Sequence, residues 1–265
     1  MSSGTLYMLL TLIFFETTAT KSLPYKSIQP QILNGNQAYL GQFPWQVALS
    51  FYGLTSQWEC SGVLIKEDWV LTAGHCGAFE FVSVDAFVGS VNDSRGDLRS
   101  FAYDMGHPSG YSSHPLVDDI GLLHLEEPLE INDNVKPIDL SWEPLGPNLN
   151  ITVSGWGATN EYGGAGPSSS LFYITLSTID NTECKKTYGE DTIRDEMVCA
   201  VSTGNVLQAT CFGDNGGPAI VYTDGKPVLV GIASFVSDRG CESGDPSGFT
   251  RIGNFEEWIR DTTGL

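Results

Sequence analysis

The sequence predicts an all-β protein with two short helices, on three observations. Trp45-Gln46-Val47-Ala48-Leu49-Ser50-Phe51 alternates apolar and polar residues, the period of a strand with one face buried. Ala219-Ile220-Val221-Tyr222 and Val228-Leu229-Val230-Gly231-Ile232 flank Asp224-Gly225, a dipeptide suited to a two-residue hairpin turn because both residues tolerate positive φ. No long stretch keeps a helical period, and 265 residues with 41% hydrophobic content and 30 glycines can bury a substantial β-rich core.

From the N-terminus, the first feature is an apolar run from Leu6 to Phe15, followed by Glu16 and the small-residue stretch Thr17-Thr18-Ala19-Thr20. The run is too short to span a bilayer and has the layout of a cleaved export signal over 1–20, although no Lys or Arg precedes it. A secreted, extracellular protein is expected. Trp69-Val70-Leu71 reads as another strand. The segment from Glu161 to Ser170 holds too much Gly, Pro and Ser for regular structure and predicts a mobile surface loop open to nicking. Asp180 with Glu183 three residues on is a helix-start signature, and Phe255, Trp258 and Ile259 mark a terminal helix over about 253–262.

With 13 Lys and Arg against 32 Asp and Glu, the formal net charge is -19. Such a surface repels nucleic acid and anionic membranes, so neither is an expected partner. It suits cationic partners or plain solubility in a crowded secretion, and it holds no acidic block that would form a tail. Asn92-Asp93-Ser94 and Asn150-Ile151-Thr152 are acceptor signatures for glycans on surface loops. Arg95-Gly96-Asp97 is an adhesion-type tripeptide, though a chain this long contains one by chance at roughly a few per cent.

Four segments concentrate the chemistry: Leu71-Thr72-Ala73-Gly74-His75-Cys76, Asp119-Ile120-Gly121-Leu122-Leu123, Ser154-Gly155-Trp156-Gly157 and Gly213-Asp214-Asn215-Gly216-Gly217-Pro218. His75 sits before Cys76 at the end of an apolar strand. Asp119 leads an apolar strand, whereas Asp118 reads as a solvated neighbour. In this order the segments resemble the chymotrypsin/trypsin family of serine proteases, from about Ile32 to the C-terminus. The resemblance implies two packed antiparallel six-stranded β-barrels, over about 32–140 and 141–252, with a cleft between them. It places His75 at the general base, Asp119 at the buried carboxylate that orients it, and Asn215 where the attacking serine belongs. The backbone N–H groups of Gly213 and Asn215 match the oxyanion hole.

Asn215 is the first departure from the family pattern. A carboxamide nitrogen shares its lone pair with its carbonyl, and neutral imidazole is far too weak a base to deprotonate it, so no acyl intermediate forms by that route. Loss of the nucleophile costs roughly a millionfold in serine proteases and leaves about 10³ over water. The Asn215 amide is instead expected to donate to the free nitrogen of His75. Maturation is the second departure. Family members are cut so that a new amine pairs with the aspartate before the nucleophile, here Ile32 and Asp214. The preceding residue is Gln31 and the nearest basic residue is Lys26. Either an unusual protease removes a propeptide at 21–31, or the chain stays uncut with Asp214 paired elsewhere.

Six cysteines leave their pairing open from spacing alone. The resemblance implies Cys60–Cys76, Cys184–Cys199 and Cys211–Cys241, each stabilising by about 2 to 4 kcal/mol, with no free thiol left. His107, His114 and His124 lie in no metal-ligand spacing, so neither metal nor cofactor is expected. Ala209 falls at the base of the primary pocket, where a carboxylate would select Lys or Arg. Val236 and Ser247 stand where the family often has glycine and make the pocket shallow, while Ser234-Phe235-Val236 offers an edge to an extended peptide. Small or medium apolar side chains are expected there.

Three functions follow. The leading one is a secreted, monomeric protease homologue without proteolytic activity, binding peptides or proteins in its cleft as a decoy for protease inhibitors or a cofactor of an active protease. The second is a serine-type endopeptidase with weak or unconventional activity and apolar primary specificity. The third is adhesion through Arg95, Gly96 and Asp97.

Overall fold

A computed structural model describes residues 32–92, 98–158 and 168–265. The segments expected to be an export signal (1–20) and a propeptide (21–31), the Arg95-Gly96-Asp97 tripeptide and residues Glu161 to Pro167 lie outside the described residues.

The first sheet is built from β1 (Gln46–Tyr52), β2 (Gln57–Lys66), β3 (Trp69–Thr72), β4 (Ser83–Val88), β5 (Leu98–Ala102) and β6 (Gly121–His124). Its order is β5-β4-β1-β2-β3-β6, antiparallel throughout, and Met105–Gly106 continues it beyond β6. The second sheet uses β7 (Asn150–Gly155), β8 (Phe172–Ile179), β9 (Met197–Ser202), β10 (Pro218–Thr223), β11 (Lys226–Phe235) and β12 (Ser247–Arg251). These run β8-β7-β10-β11-β12-β9, and β9 returns to β8 with Leu176 opposite Ser202 and Ile179 opposite Cys199, closing a six-stranded barrel. Closure removes the exposed edges a strand would otherwise present. The hairpin turn at Asp224 (φ 51°) and Gly225 (φ 78°) joins β10 to β11 with both central residues left-handed, as that turn type demands.

β1 differs from its sequence pattern. Both of its faces are buried through Phe51, where alternation predicts one face in water. Val47, Leu49 and Phe51 enter the core, and on the other face Gln46 accepts a 2.7 Å hydrogen bond from the Ser154 hydroxyl of β7. The second barrel covers what would otherwise be a solvated face. The main apolar cluster accordingly crosses the seam, joining Leu49, Leu64 and Leu122 to Leu229, Ile232 and Ile259, while Ile151, Leu176, Val198 and Phe249 fill the second barrel.

Both ends of the described chain strap across this seam. Asn36–Gln37 pairs with β8, and α2 (Glu256–Thr263) brings Thr263 to the first barrel, where its carbonyl accepts from Lys66 Nζ at 3.0 Å. α1 (Asn181–Tyr188) is capped by Asp180, whose carboxylate accepts from the Thr182 N–H at 2.8 Å and satisfies an otherwise orphaned donor. The segment 213–217 is locked into the seam by backbone: Ser61 N–H donates to Asn215 O (2.7 Å), and Gly216 N–H donates to Ala233 O (2.8 Å).

Gly216 has φ +83°, and a Cβ there would stand 2.1 Å from Ser61 O and 2.2 Å from Thr72 Oγ1. Backbone strain and overpacking together predict that Gly216→Ala destabilises by about 2 to 5 kcal/mol. Thermal unfolding should show the midpoint falling by roughly 5 to 15 °C; an unchanged midpoint would contradict the close approach.

Candidate active site

After β3 the chain turns through a short 3-10 segment, Gly74–Gly77, that carries His75 to the seam. Three contacts fix it. Cys60–Cys76 ties it to β2, Trp58 Nε1 donates to Cys76 O at 2.8 Å, and Tyr111 lies so close to Gly74 that a Cβ would meet its ring at 2.7 Å. Asp119 reaches the same place from the turn ahead of β6. Asp118 takes φ 49° there and directs its carboxylate toward Gly110, leaving Asp119 to turn inward.

Asp119 is buried, and each of its carboxylate oxygens has a donor. Oδ1 accepts from the His75 backbone N–H (2.8 Å), Oδ2 accepts from the Ser234 hydroxyl (2.5 Å), and both face His75 Nδ1 at 3.1 and 2.9 Å. The Thr250 hydroxyl donates to the Asp119 carbonyl at 2.8 Å. A carboxylate can only accept, so neutral His75 carries its proton on Nδ1 and presents Nε2 as an acceptor. The remaining histidines are dispersed. His107 bonds Gly74 O and stacks on Tyr111, His124 pairs with Asp68 and stacks on Trp69, and His114 lies exposed beside Ser113. Among the described residues no group of three His, Cys, Asp or Glu could hold a metal ion.

Asn215 and His75 line one cleft of about 350 Å³. The expected Asn215-to-His75 hydrogen bond is not formed: among the described residues the Asn215 carboxamide has no partner, and only its backbone carbonyl is engaged. The loop is held by its main chain, with no hydrogen bond from this side chain to a described residue. Gly213 (φ +97°) aligns the loop, and neither the Gly213 nor the Asn215 N–H donates to a described residue. Two backbone donors of the loop, on either side of Asp214, thus have no partner among the described residues.

The cysteines pair as Cys60–Cys76, Cys184–Cys199 and Cys211–Cys241, with none free. Of the pocket candidates, Ser234, Phe235 and Val236 line the cleft. Ala209 is buried and bridges to Leu33, and Ser247 is buried with its hydroxyl accepting from Thr210 N–H at 3.2 Å. Phe235 fills the space over Gly248, where a Cβ would meet its ring at 2.2 Å, and packs edge-on against Tyr188. Sequence reasoning misses Phe79 and Phe212, which share the cleft with 70% and 50% of their surfaces exposed. They are brought together by folding from positions far apart, and no local pattern marks them. It also treats Ser234 only as peptide edge, whereas its hydroxyl completes the Asp119 network.

Ile32 is buried in the second-barrel core with φ 35°, a left-handed conformation that strains a β-branched residue. Leu33 bridges Ala209, and Asn34 exchanges hydrogen bonds with Leu207 O and Gln208 Nε2. Asp214 is fully buried, accepting from Gly157 N–H (2.9 Å) and Cys211 N–H (2.8 Å). Burial pushes its carboxyl up to about 7, against the opposing pull of those two donors.

The trypsin family model matches residues 32–259. The chain is 36% identical to a collagenase of Hypoderma lineatum, covering 89% of this chain and 88% of that protein. It is 32% identical to a trypsin of Phaedon cochleariae, over 96% and 97% of the two chains. A solved structure of HL collagenase superposes with a TM-score of 0.78 at 33% identity, covering 88% of this chain and 99% of that one. With a closed six-stranded barrel packed on a second antiparallel sheet that forms a half-barrel, its His75–Asp119 pair at the seam and similarity along nearly its whole length, the chain belongs to the trypsin family of chymotrypsin-like serine protease homologues.

Proposed function

We propose that this protein is an exported protease homologue that binds polypeptide in its cleft without cutting it. One observation carries the reading: the residue beside the His75–Asp119 pair is an asparagine, Asn215, with no hydroxyl to surrender a proton. His75 and Asp119 hold the geometry of base and orienting acid, but nothing within the pair can attack a carbonyl. Binding does not need the nucleophile. The open N–H groups of Gly213 and Asn215 can still donate to a carbonyl oxygen, and Phe79, Phe212, Leu116 and Val236 give the cleft an apolar lining. No carboxylate stands at 209 to favour a basic side chain, so the ligand is an extended segment with a small or medium apolar anchor. A decoy for protease inhibitors, or a cofactor of an active protease, is the role such a cleft can serve.

The intact His75–Asp119–Ser234 network also favours a second reading, an endopeptidase with weak activity. One comparison separates them. Asn215→Ser should raise turnover of an apolar chromogenic peptide by at least about 10³-fold over the natural chain, and His75→Ala on that background should abolish the gain. Equal and measurable turnover by the natural chain and the Asn215→Ser variant, both beginning at Ile32, would favour the second reading.

Maturation by a cut between Gln31 and Ile32 accompanies this proposal. Two features support it: the strained φ of Ile32, which a cut would relieve, and the buried Asp214, whose carboxylate has only backbone N–H partners among the described residues. In the uncut chain the folded Asp214 value of about 7 exceeds the ordinary value of 3.8. Its stabilising contribution is therefore complete below about pH 4 and is lost as pH rises through 7, up to about 4 kcal/mol. Unfolding of the uncut chain from pH 4 to pH 8 should show this loss, and Asp214→Asn should flatten it. A chain beginning at Ile32 should lack the loss, because its new amine holds Asp214 ionised. A slope indifferent to both the cut and Asp214→Asn would overturn this account.

A further inference from the structure

A second groove shares no residue with the cleft. It has a volume of about 560 Å³ and is lined by Trp142, Leu145, Leu149, Val221, Tyr222 and Val228 among others. Its rim leaves apolar surface in water, with Leu149 43% and Tyr222 56% exposed. Such surface on a secreted protein calls for a cover.

The residue after Leu149 is Asn150, the first position of Asn150-Ile151-Thr152. Along β7, Ile151 and Val153 enter the second-barrel core, so Asn150 and Thr152 face outward on the alternating strand. Asn150 is exposed, and its carboxamide has no partner among the described residues. β7 pairs antiparallel with β10, Thr152 opposite Ile220. The bridged pairs end there, and Asn150 itself is paired on its other side with Ser177; continuing the register by two residues would set Asn150 across from Tyr222 on the same outward face. The chain reaches Asn150 from a turn in which Asn148 takes φ 62° and donates its N–H to Thr178 O at 2.7 Å. An acceptor carboxamide therefore sits at the start of a strand, beside a turn, and directly after Leu149 of the groove's lining, on the strand face that the register would share with Tyr222.

We propose that Asn150 carries an N-linked glycan whose first sugar lays its C–H face on Tyr222 and roofs this groove. The inference rests on the export reading above, since the export route supplies both the transferase and the donor, a lipid-linked glycosyl pyrophosphate. In the transfer the Asn150 amide nitrogen bonds to the sugar's anomeric carbon. The bond from that carbon to the pyrophosphate oxygen breaks, the lipid pyrophosphate leaves with the bonding pair, and the amide proton passes to a transferase base. The Thr152 hydroxyl completes the acceptor signature. A sugar covers the rim with polar hydroxyls outward while its apolar face meets the aromatic ring, which replaces exposed hydrocarbon by a soluble surface.

The test is expression of the full chain in glycosylating insect cells, with peptide mapping of both cell-retained and secreted material after amidase deglycosylation. The expected result is conversion of Asn150 to aspartate, lost in Thr152→Ala, retained in Thr152→Ser and indifferent to Asn92→Gln. Deglycosylation should also raise fluorescence of an apolar-surface dye severalfold, less so in Tyr222→Ser. An unmodified Asn150 on chains whose leader has been removed would overturn the glycan alone. Chains that keep Met1 and a bare Asn150 would overturn the export reading with it. A modified Asn150 with unchanged dye fluorescence would overturn the packing on Tyr222.

Discussion

The burial of Asp119 is the constraint on which the rest of the site depends. An ionised carboxylate withdrawn from water is tolerated only when its lone pairs are taken, and breaking such an arrangement is strongly destabilising. The donors come from both halves of the molecule. His75 supplies a backbone N–H and Nδ1 from the first barrel, and Ser234 supplies its hydroxyl from β11 of the second. Thr250 on β12 holds the Asp119 carbonyl. The barrels must therefore dock in one register for the acid to be solvated by protein, and docking in that register fixes the imidazole. None of this refers to the side chain at 215.

A second constraint acts on the 213–217 loop, and it too bypasses that side chain. Gly213 and Gly216 take positive φ, and Gly217 packs so that a Cβ would meet Asp214 O at 2.8 Å and Ser154 O at 3.0 Å. Gly155 and Gly157 leave room for the Asp214 carboxyl, which a Cβ at these positions would touch at 2.1 and 2.4 Å. The loop is shaped by absent side chains and by backbone hydrogen bonds. The fold of the loop therefore places no demand on the side chain at 215, and an orderly backbone is compatible with an asparagine there.

What the sequence reveals divides along the range of the interactions. The Asp180 cap and the Asp224-Gly225 turn are legible because each is decided within a few residues. The placement of His75 and Asp119 is legible through motif order. The doubly buried β1 is not, because its outer face is covered by Ser154, more than a hundred residues away. Nor are Phe79 and Phe212, which become neighbours only across the cleft. The expected Asn215-to-His75 bond illustrates the same boundary: donor and acceptor types match, but a rotamer in an open cleft is chosen by three-dimensional surroundings that composition does not encode. The exposure of Asn150 on the outward face of β7 needs strand register, one step beyond recognition of the acceptor signature.

Asp214 and Asp119 are both buried carboxylates, and their contrast shows where the site remains conditional. Asp119 has an imidazole and a hydroxyl. Asp214 has two backbone N–H donors, and its carboxyl is pushed up to about 7 because those donors do not offset burial. Its surroundings are also those of the open N–H groups of the loop, since Gly213 and Asn215 flank it in sequence. A carboxyl that changes charge near neutrality thus lies under the very backbone that would receive a ligand's carbonyl. A cation brought to Asp214 would hold it ionised and stiffen that backbone, and the segment from Ile32 to Asn34, docked on 207–209 just ahead of the loop, is the one whose new amine a cut before Ile32 would supply. In the function proposed above, the state of the chain around Ile32 governs binding in the cleft and residue 215 governs cutting, so that the two could be lost or kept independently.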